Sequence, residues 1–267
     1  MNATAAGTFD SSSQRLLADG ELPAATVEQP DGESVFVFAC DHAGDRIPRA
    51  LGTLGLSDAE LASHTVSDVG AGGMARLLAQ RIDAALVLQN YSRAVIDCGL
   101  PDDDAEAIPA RGEWMPIAGN AGLDAGQRAA RRAEIHEPYH AALRGLLDAR
   151  QRARRPSWLV TVHSYAPSWR GVDQSWHIGL GYGADARLAK VMLALLRRDE
   201  RLDVGNNEPE PLAGREDYTL RRHGEAHGMP HVALRIRHDL IADDAGRKTW
   251  AGRFASLMKQ AADSVPK

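Results

Sequence analysis

Apolar residues fall into two kinds of segment along this chain. Short, nearly unbroken runs ("SVFVFAC", "AALVLQNY", "RAVIDC", "SWLVTVHS", "WHIGLGY", "HVALRIR") show the pattern of strands covered on both faces. Between them lie stretches with helical spacing: "GAGGMARLLAQRIDA" sets Met74, Leu77, Leu78 and Ile82 on one side. "DARLAKVMLALLRRD" and "RKTWAGRFASLMKQAAD" are amphipathic in the same way, and the Ser-x-x-Glu capping box of "SDAELASH" starts a helix near Asp58. "DAGQRAARRAEIHEPYHAALRGLLDARQRAR" reads as one long helix that its interior Pro138 kinks. This alternation predicts an α/β fold, a single domain over residues 31–267 with a mostly parallel central sheet flanked by helices. Residues 1–30 read as a loosely ordered N-terminal segment. "LPDDDAEAIPARGEWMPIAGNAG" has no periodicity and is predicted to be a long loop, of a length that is more often functional than idle.

In such sheets ligands gather at the carboxyl ends of the strands. The first run ends in Asp41, His42 and Asp45; "RAVIDC" contains Arg93 and ends at Asp97. "SWLVTVHS" ends in His163 and Ser164, and "HVALRIR" delivers Arg235, Arg237, His238 and Asp239. Two strand-end histidines with acids beside them suit a catalytic zinc site, which takes three protein ligands and a water. Two acids compete for the third place: Asp45, at His-x-x-Asp spacing, and Asp68, at the head of a helix where it could equally be an N-cap. "HEPYH" (136–140) fits the zinc-protease pattern, but Pro138 lies between the histidines and the match reads as coincidence. "GAGG" (70–73) matches no phosphate loop and suits close helix–sheet packing, and Ser164 lacks a nucleophile elbow.

Charge and cysteine content narrow the partners. A net charge of −5 argues against nucleic acid or an anionic membrane held by bulk electrostatics. No run of 18 apolar residues exists to span a bilayer, and the polar N-terminus has no apolar core of signal-peptide length, so a cytoplasmic protein is expected. The two cysteines, Cys40 and Cys98, form no CxxC pair and are expected reduced and buried.

The blocks "CDHAGDRIP", "SDVGAGGMARLLAQRIDA", "YSRAVID", "PYHAAL", "VHSYAP", "WHIGLGY", "VGNNEP" and "RIRHDLI", in this order, resemble the N-formylglutamate amidohydrolase family. The resemblance implies a phosphorylase/hydrolase-like sheet related to zinc carboxypeptidases, a Zn2+ cofactor and a small N-acyl amino acid as substrate. It implies His42 and His163 as metal ligands, favours Asp68 over Asp45 as the third, and makes Arg93 a carboxylate-binding or transition-state group. Asn120, His177, Arg235 and Arg237 are the candidate substrate-binding residues. The chain departs from the family where its last strand usually carries the general-base glutamate, a place Arg235 takes here. Gly99 and Leu100 stand where Asn-Arg is usual, and Asn206 where an aspartate is usual. A cation cannot take a proton from zinc-bound water, so Glu208 and Asp239 are the candidate replacement acids. The competing expectation is a metal-binding paralogue without hydrolase activity, serving as a ligand-binding or partner protein. A third is altered chemistry in which Arg235 grips an anion. Arg235→Glu is expected to raise hydrolysis if the rest of the machinery is intact.

Overall fold

The unbroken apolar runs form the middle of a seven-stranded sheet. The structure, a computed structural model, describes residues 15–112, 115–169, 171–209 and 217–265. Strands β1 (Ala25–Glu28), β2 (Phe36–Cys40), β3 (Ala85–Gln89), β4 (Trp158–Tyr165), β7 (Ile178–Gly181), β8 (Val204–Asn206) and β9 (His231–Arg237) lie in the order β1-β3-β2-β4-β9-β7-β8. The central four run parallel, β1 pairs antiparallel with β3, and β7 antiparallel with β9. A two-stranded hairpin of β5 (Ser168–Trp169) and β6 (Val172–Asp173) stands apart.

Alternate side chains of each run go to opposite layers, which is why no polar position interrupts them. Phe36, Phe38, Val160, Val162, Val232 and Leu234 pack under helices α2 (Ala71–Ile82), α5 (Arg187–Leu196) and α6 (Asp244–Ser264). Val37, Ala39, Val87, Leu159 and Ala233 face α4 (Glu137–Arg152) through Tyr139 and Leu143. From β2 the chain goes to β3 on one side and to β4 on the other, so the strand order reverses at β2. Such a switch point opens a crevice beyond the strand ends. Among the described residues no helix is long and apolar enough to cross a membrane.

Two local expectations change. "RAVIDC" is not a strand: Ala94, Val95, Ile96 and Cys98 are buried, but the backbone turns. The Ser92 carbonyl accepts from the Val95 amide, and the Asp97 amide donates to the Ala107 carbonyl, so its polar groups are satisfied without a ladder. Residues 25–28, read as part of a loose lead-in, form the edge strand β1; residues 1–14 lie outside the described part. The long helix does carry Pro138 inside it: α3 (Ala125–Arg131) runs into a π-helical turn, Arg132–His136, and Pro138 follows in the first turn of α4. The π turn interrupts the regular ladder just ahead of the proline. The short helix α1 (Asp58–Leu61) begins at Ser57 with the expected capping box.

Candidate metal centre

Strand parity determines which side chains reach the crevice. Asp41 follows Val37 and Ala39 on the α4 face, Thr161 and His163 follow Leu159, and Arg235 follows Ala233 directly across from His163. His42 leaves the sheet just after β2, and its carbonyl accepts from the Asp68 amide at 3.0 Å, which carries Asp68 to the same place.

His42, Asp68 and His163 offer ligand atoms all within 4.8 Å of one another, and all three side chains are buried. Asp68 Oδ2 lies 3.4 Å from His42 Nδ1 and 3.1 Å from His163 Nδ1, and accepts the Ser164 amide at 3.1 Å. Arg93 donates to Asp68 Oδ1 at 3.3 Å and to the His64 carbonyl at 2.8 Å. Asp68 is therefore not a helix cap: the N-cap of α2 is Gly70, with no side-chain cap bond. Asp45 is exposed, on a segment that runs against Asn90 and Tyr91.

The outer nitrogens face other acids. Asp97 Oδ1 lies 2.7 Å from His42 Nε2 and accepts the Gly99 amide at 2.7 Å. A Cβ on Gly99 would stand 3.1 Å from both His42 Nε2 and Asp97 Oδ1, so only glycine fits this turn without displacing them. His163 Nε2 lies 3.4 Å from Asp217 Oδ1 and 3.7 Å from Asp41 Oδ2. Among the described residues His163 Nε2 and Asp41 Oδ2 lack a hydrogen-bond partner, while Asp41 Oδ1 is held by Tyr139 and by Thr219 at 2.9 Å. Both histidines thus turn Nδ1 inward to a shared carboxylate and Nε2 outward to a second one. A buried pair of imidazoles and a carboxylate, with outer acids fixing the rings, is a donor set that fits a divalent metal.

Electrostatics follow from this packing. Burial alone would lower the His42 imidazole, but Asp97 and Asp68 carry it up to about 9; His163, lowered by burial, is carried by Asp217 and Asp68 to about 10. Burial raises Asp68, yet the two histidines and Arg93 hold it well below the usual carboxylate range. Asp217, likewise raised by burial, is held low by Arg235 and His163. Burial pushes His64 down to about 4. In the metal-free protein the two raised imidazoles contribute stability that is full below pH 6.5 and is lost as pH rises through about 9 to 10. A metal needs both nitrogens bare, so protons and metal compete. Divalent-metal affinity should therefore rise with pH across that window, by up to about 100-fold per unit where two protons leave. Titrations at several pH values check the slope; a flat profile would contradict the shared-ligand geometry.

These residues line a cavity of about 550 Å³ with Arg93, Arg235, Arg111, Glu106, Tyr165 and Gln174 on its walls. Arg235 is buried and donates to Asp217 Oδ2. The remaining sequence candidates fall elsewhere. Arg237 pairs with Asp239 at 2.8 Å on an exposed edge, and His177 Nδ1 accepts the Asp203 amide at 3.0 Å. Glu208 sits beside Gly179 and Gly205, and of that turn only Pro209 borders the cavity among the described residues. None of Arg237, Asp239, His177 and Glu208 lines the cavity. Asn120 is a buried brace: Nδ2 donates to the Ala94 and Pro109 carbonyls at 2.7 Å, and Oδ1 accepts from Arg131 at 2.7 Å. Asn120→Ala should therefore cost about 2 to 4 kcal/mol in urea unfolding by leaving these groups buried and unpaired. KM should change little if folding is restored by lower temperature; a KM effect without a stability loss would restore a substrate role.

Asp41, Asp97 and Asp217 surround this cluster, and only the first two follow apolar runs of the sequence. Asp217 lies in "GREDYTL", which carries no motif. The available signal was Arg235, since a guanidinium delivered to a buried strand end requires a carboxylate partner.

The sequence model described as N-formylglutamate amidohydrolase matches residues 34–242. A search of the curated proteins gives no match. The crystal structure of gene product Atu2144 from Agrobacterium tumefaciens superposes with a TM-score of 0.91 at 36% identity, covering 94% of this chain and 99% of that one. The N-formylglutamate amidohydrolase from Ralstonia eutropha JMP134 superposes at 0.70 with 18% identity, covering 91% and 98%, a likeness of fold.

Proposed function

The chain belongs to the N-formylglutamate amidohydrolase family, and we propose that it hydrolyses the amide of a small N-acyl amino acid, an N-formyl amino acid first among them. The observation that supports this reading most is the buried cluster of His42, Asp68 and His163 at the floor of a cavity. Both imidazoles, through Nδ1, and the Asp68 carboxylate would hold a zinc ion. When bound, the zinc supplies a water acidified towards neutral pH and a Lewis acid for the acyl carbonyl.

The chain's own residues supply the rest. Asp97 orients His42, and Asp217 and Asp41 stand at the outer edge of His163, fixing which nitrogen faces inward. Arg93, a cavity wall group beside Asp68, offers a charged donor to an acyl oxygen or a substrate carboxylate. Glu208 and Asp239 lie outside the cavity lining, and Asp217, held by Arg235 at the outer nitrogen of His163, orients that ring rather than facing the metal side. One observation favours a second reading, a metal-binding paralogue without hydrolysis. The place of the family's general-base glutamate is filled by Arg235, and that arginine is spent on Asp217. The experiment that separates them measures acid release from N-formylglutamate and from a panel of N-acyl amino acids by the zinc-loaded protein. Release supports the hydrolase. A folded, zinc-loaded protein silent across the panel selects the second reading.

A further inference from the structure

The histidines of "HEPYH" form no part of the metal cluster, yet both are fully buried. Nε2 of His140 lies 3.1 Å from the Cys98 carbonyl, and Nε2 of His136 lies 2.9 Å from the Leu100 carbonyl. A carbonyl only accepts, so both Nε2 atoms carry the proton. His140 Nδ1 is then bare and accepts from His223 Nε2 at 3.1 Å, which fixes the ring from its other side. Two neighbouring arginines extend the same pattern. Arg131, at the end of α3, donates to the Val95 carbonyl at 2.9 Å, and Arg132 donates to the Asp102 carbonyl at 3.0 Å.

One continuous helical element, from α3 through the π turn into α4, thus holds the carbonyls of residues 95, 98, 100 and 102. Between the two histidine bonds lies Gly99, whose amide donates to Asp97 Oδ1, the oxygen that also meets His42 Nε2. Among the described residues this turn pairs with no strand; the Gly99 carbonyl accepts from the Tyr218 amide at 2.9 Å, and the Cys98 and Leu100 carbonyls on either side are held by side chains of the helix.

We propose that His140 and His136 are positioning residues for the metal centre: by clamping the carbonyls on either side of Gly99 they aim Asp97 at His42 and so set metal affinity. The proposal rests on the zinc reading above, and its test is arranged so that the two can fail separately. His140→Phe keeps a ring of similar shape and removes the donor, whereas His140→Gln keeps an N–H that can reach the Cys98 carbonyl and an oxygen that can accept from His223.

Zinc affinity is measured by competition with a chelator, alongside thermal melts of the metal-free proteins. His140→Phe should weaken zinc binding of the folded protein about 10- to 100-fold, the range for loss of an outer partner of a metal ligand. His140→Gln should restore most of that loss. On an Asp97→Asn background His140→Phe should add little, because the effect is routed through Asp97. A purely structural histidine would lower the melting temperature and leave the affinity of the folded fraction unchanged. Unchanged affinity in His140→Phe, or full additivity with Asp97→Asn, overturns the proposal. Should His140→Phe not fold, His136→Phe removes only the donor to Leu100 and carries the same expectation. If the native protein binds no zinc, the metal reading fails. The inference is then decided by proton NMR of the metal-free protein, where the downfield His42 Nε2–H signal should broaden or vanish in the Phe variant and persist in the Gln variant. A signal unchanged in the Phe variant overturns it.

Discussion

Replacing His163 with alanine should abolish acid release and leave the protein without tightly bound zinc. Its Nδ1 shares Asp68 Oδ2 with His42, so its loss leaves one imidazole and one carboxylate, short of the three protein ligands a catalytic zinc takes. Loss of an outer-shell partner alone costs about 10- to 100-fold, so loss of a ligand should cost at least about 100-fold in zinc affinity and in kcat/KM. Stability moves less simply. The ring is buried against Asp68, Asp217 and Asp41, and its raised pKa shows that these acids favour the imidazolium in the metal-free protein. His163→Ala removes that counter-charge, so the metal-free variant should unfold at a lower urea concentration than the metal-free native protein, most clearly below pH 6.5. Equilibrium dialysis and urea titration on the same samples check both parts. Native zinc affinity in the alanine variant would remove His163 from the ligand set.

The second large effect concerns Arg235. From sequence, restoring a glutamate there is an obvious route to more activity. The structure changes that expectation, because Arg235 and Asp217 are a buried pair, and Arg235→Glu would set two carboxylates against each other beside His163. Breaking a buried pair by removing one partner costs about 3 to 5 kcal/mol. The single substitution should therefore destabilise the protein by at least about 3 kcal/mol in urea unfolding and give no gain in acid release. Adding Asp217→Asn should recover part of the loss, since it removes the repulsion, and the two effects should be strongly non-additive. Asp217, with its pKa depressed, contributes stability that is present above about pH 3.9 and is lost as pH falls below it. An Arg235→Glu protein as stable as the native one would show that the pair carries no such weight.

Strands β2, β4 and β9 could be read from sequence because both layers cover them, so composition alone distinguishes them from the amphipathic helices. The same criterion misread residues 92–98. Their side chains are just as buried, but the backbone bonds locally and to helix side chains, which an apolar count cannot register. His42 and His163 were legible as polar tips of such runs. Spacing alone does not separate Asp68 from Asp45; what brings Asp68 beside the histidines is the bond from its amide to the His42 carbonyl, a contact between separate segments. Asp217 stayed hidden because nothing local marks it, although the arginine it neutralises was visible 18 residues later. "HEPYH" was visible as a motif of the wrong kind. What its histidines hold are carbonyls about 40 residues away, and a sequence shows side chains but not which carbonyls lack partners.

The most direct measurement titrates metal-free protein with zinc while following acid release from an N-acyl amino acid in the same cuvette. Activity should rise linearly with zinc and stop at one equivalent, and His42→Ala, Asp68→Ala and His163→Ala should each flatten the curve. Full activity without added zinc in the presence of a strong chelator, or an unchanged curve in these three variants, would contradict the assignment.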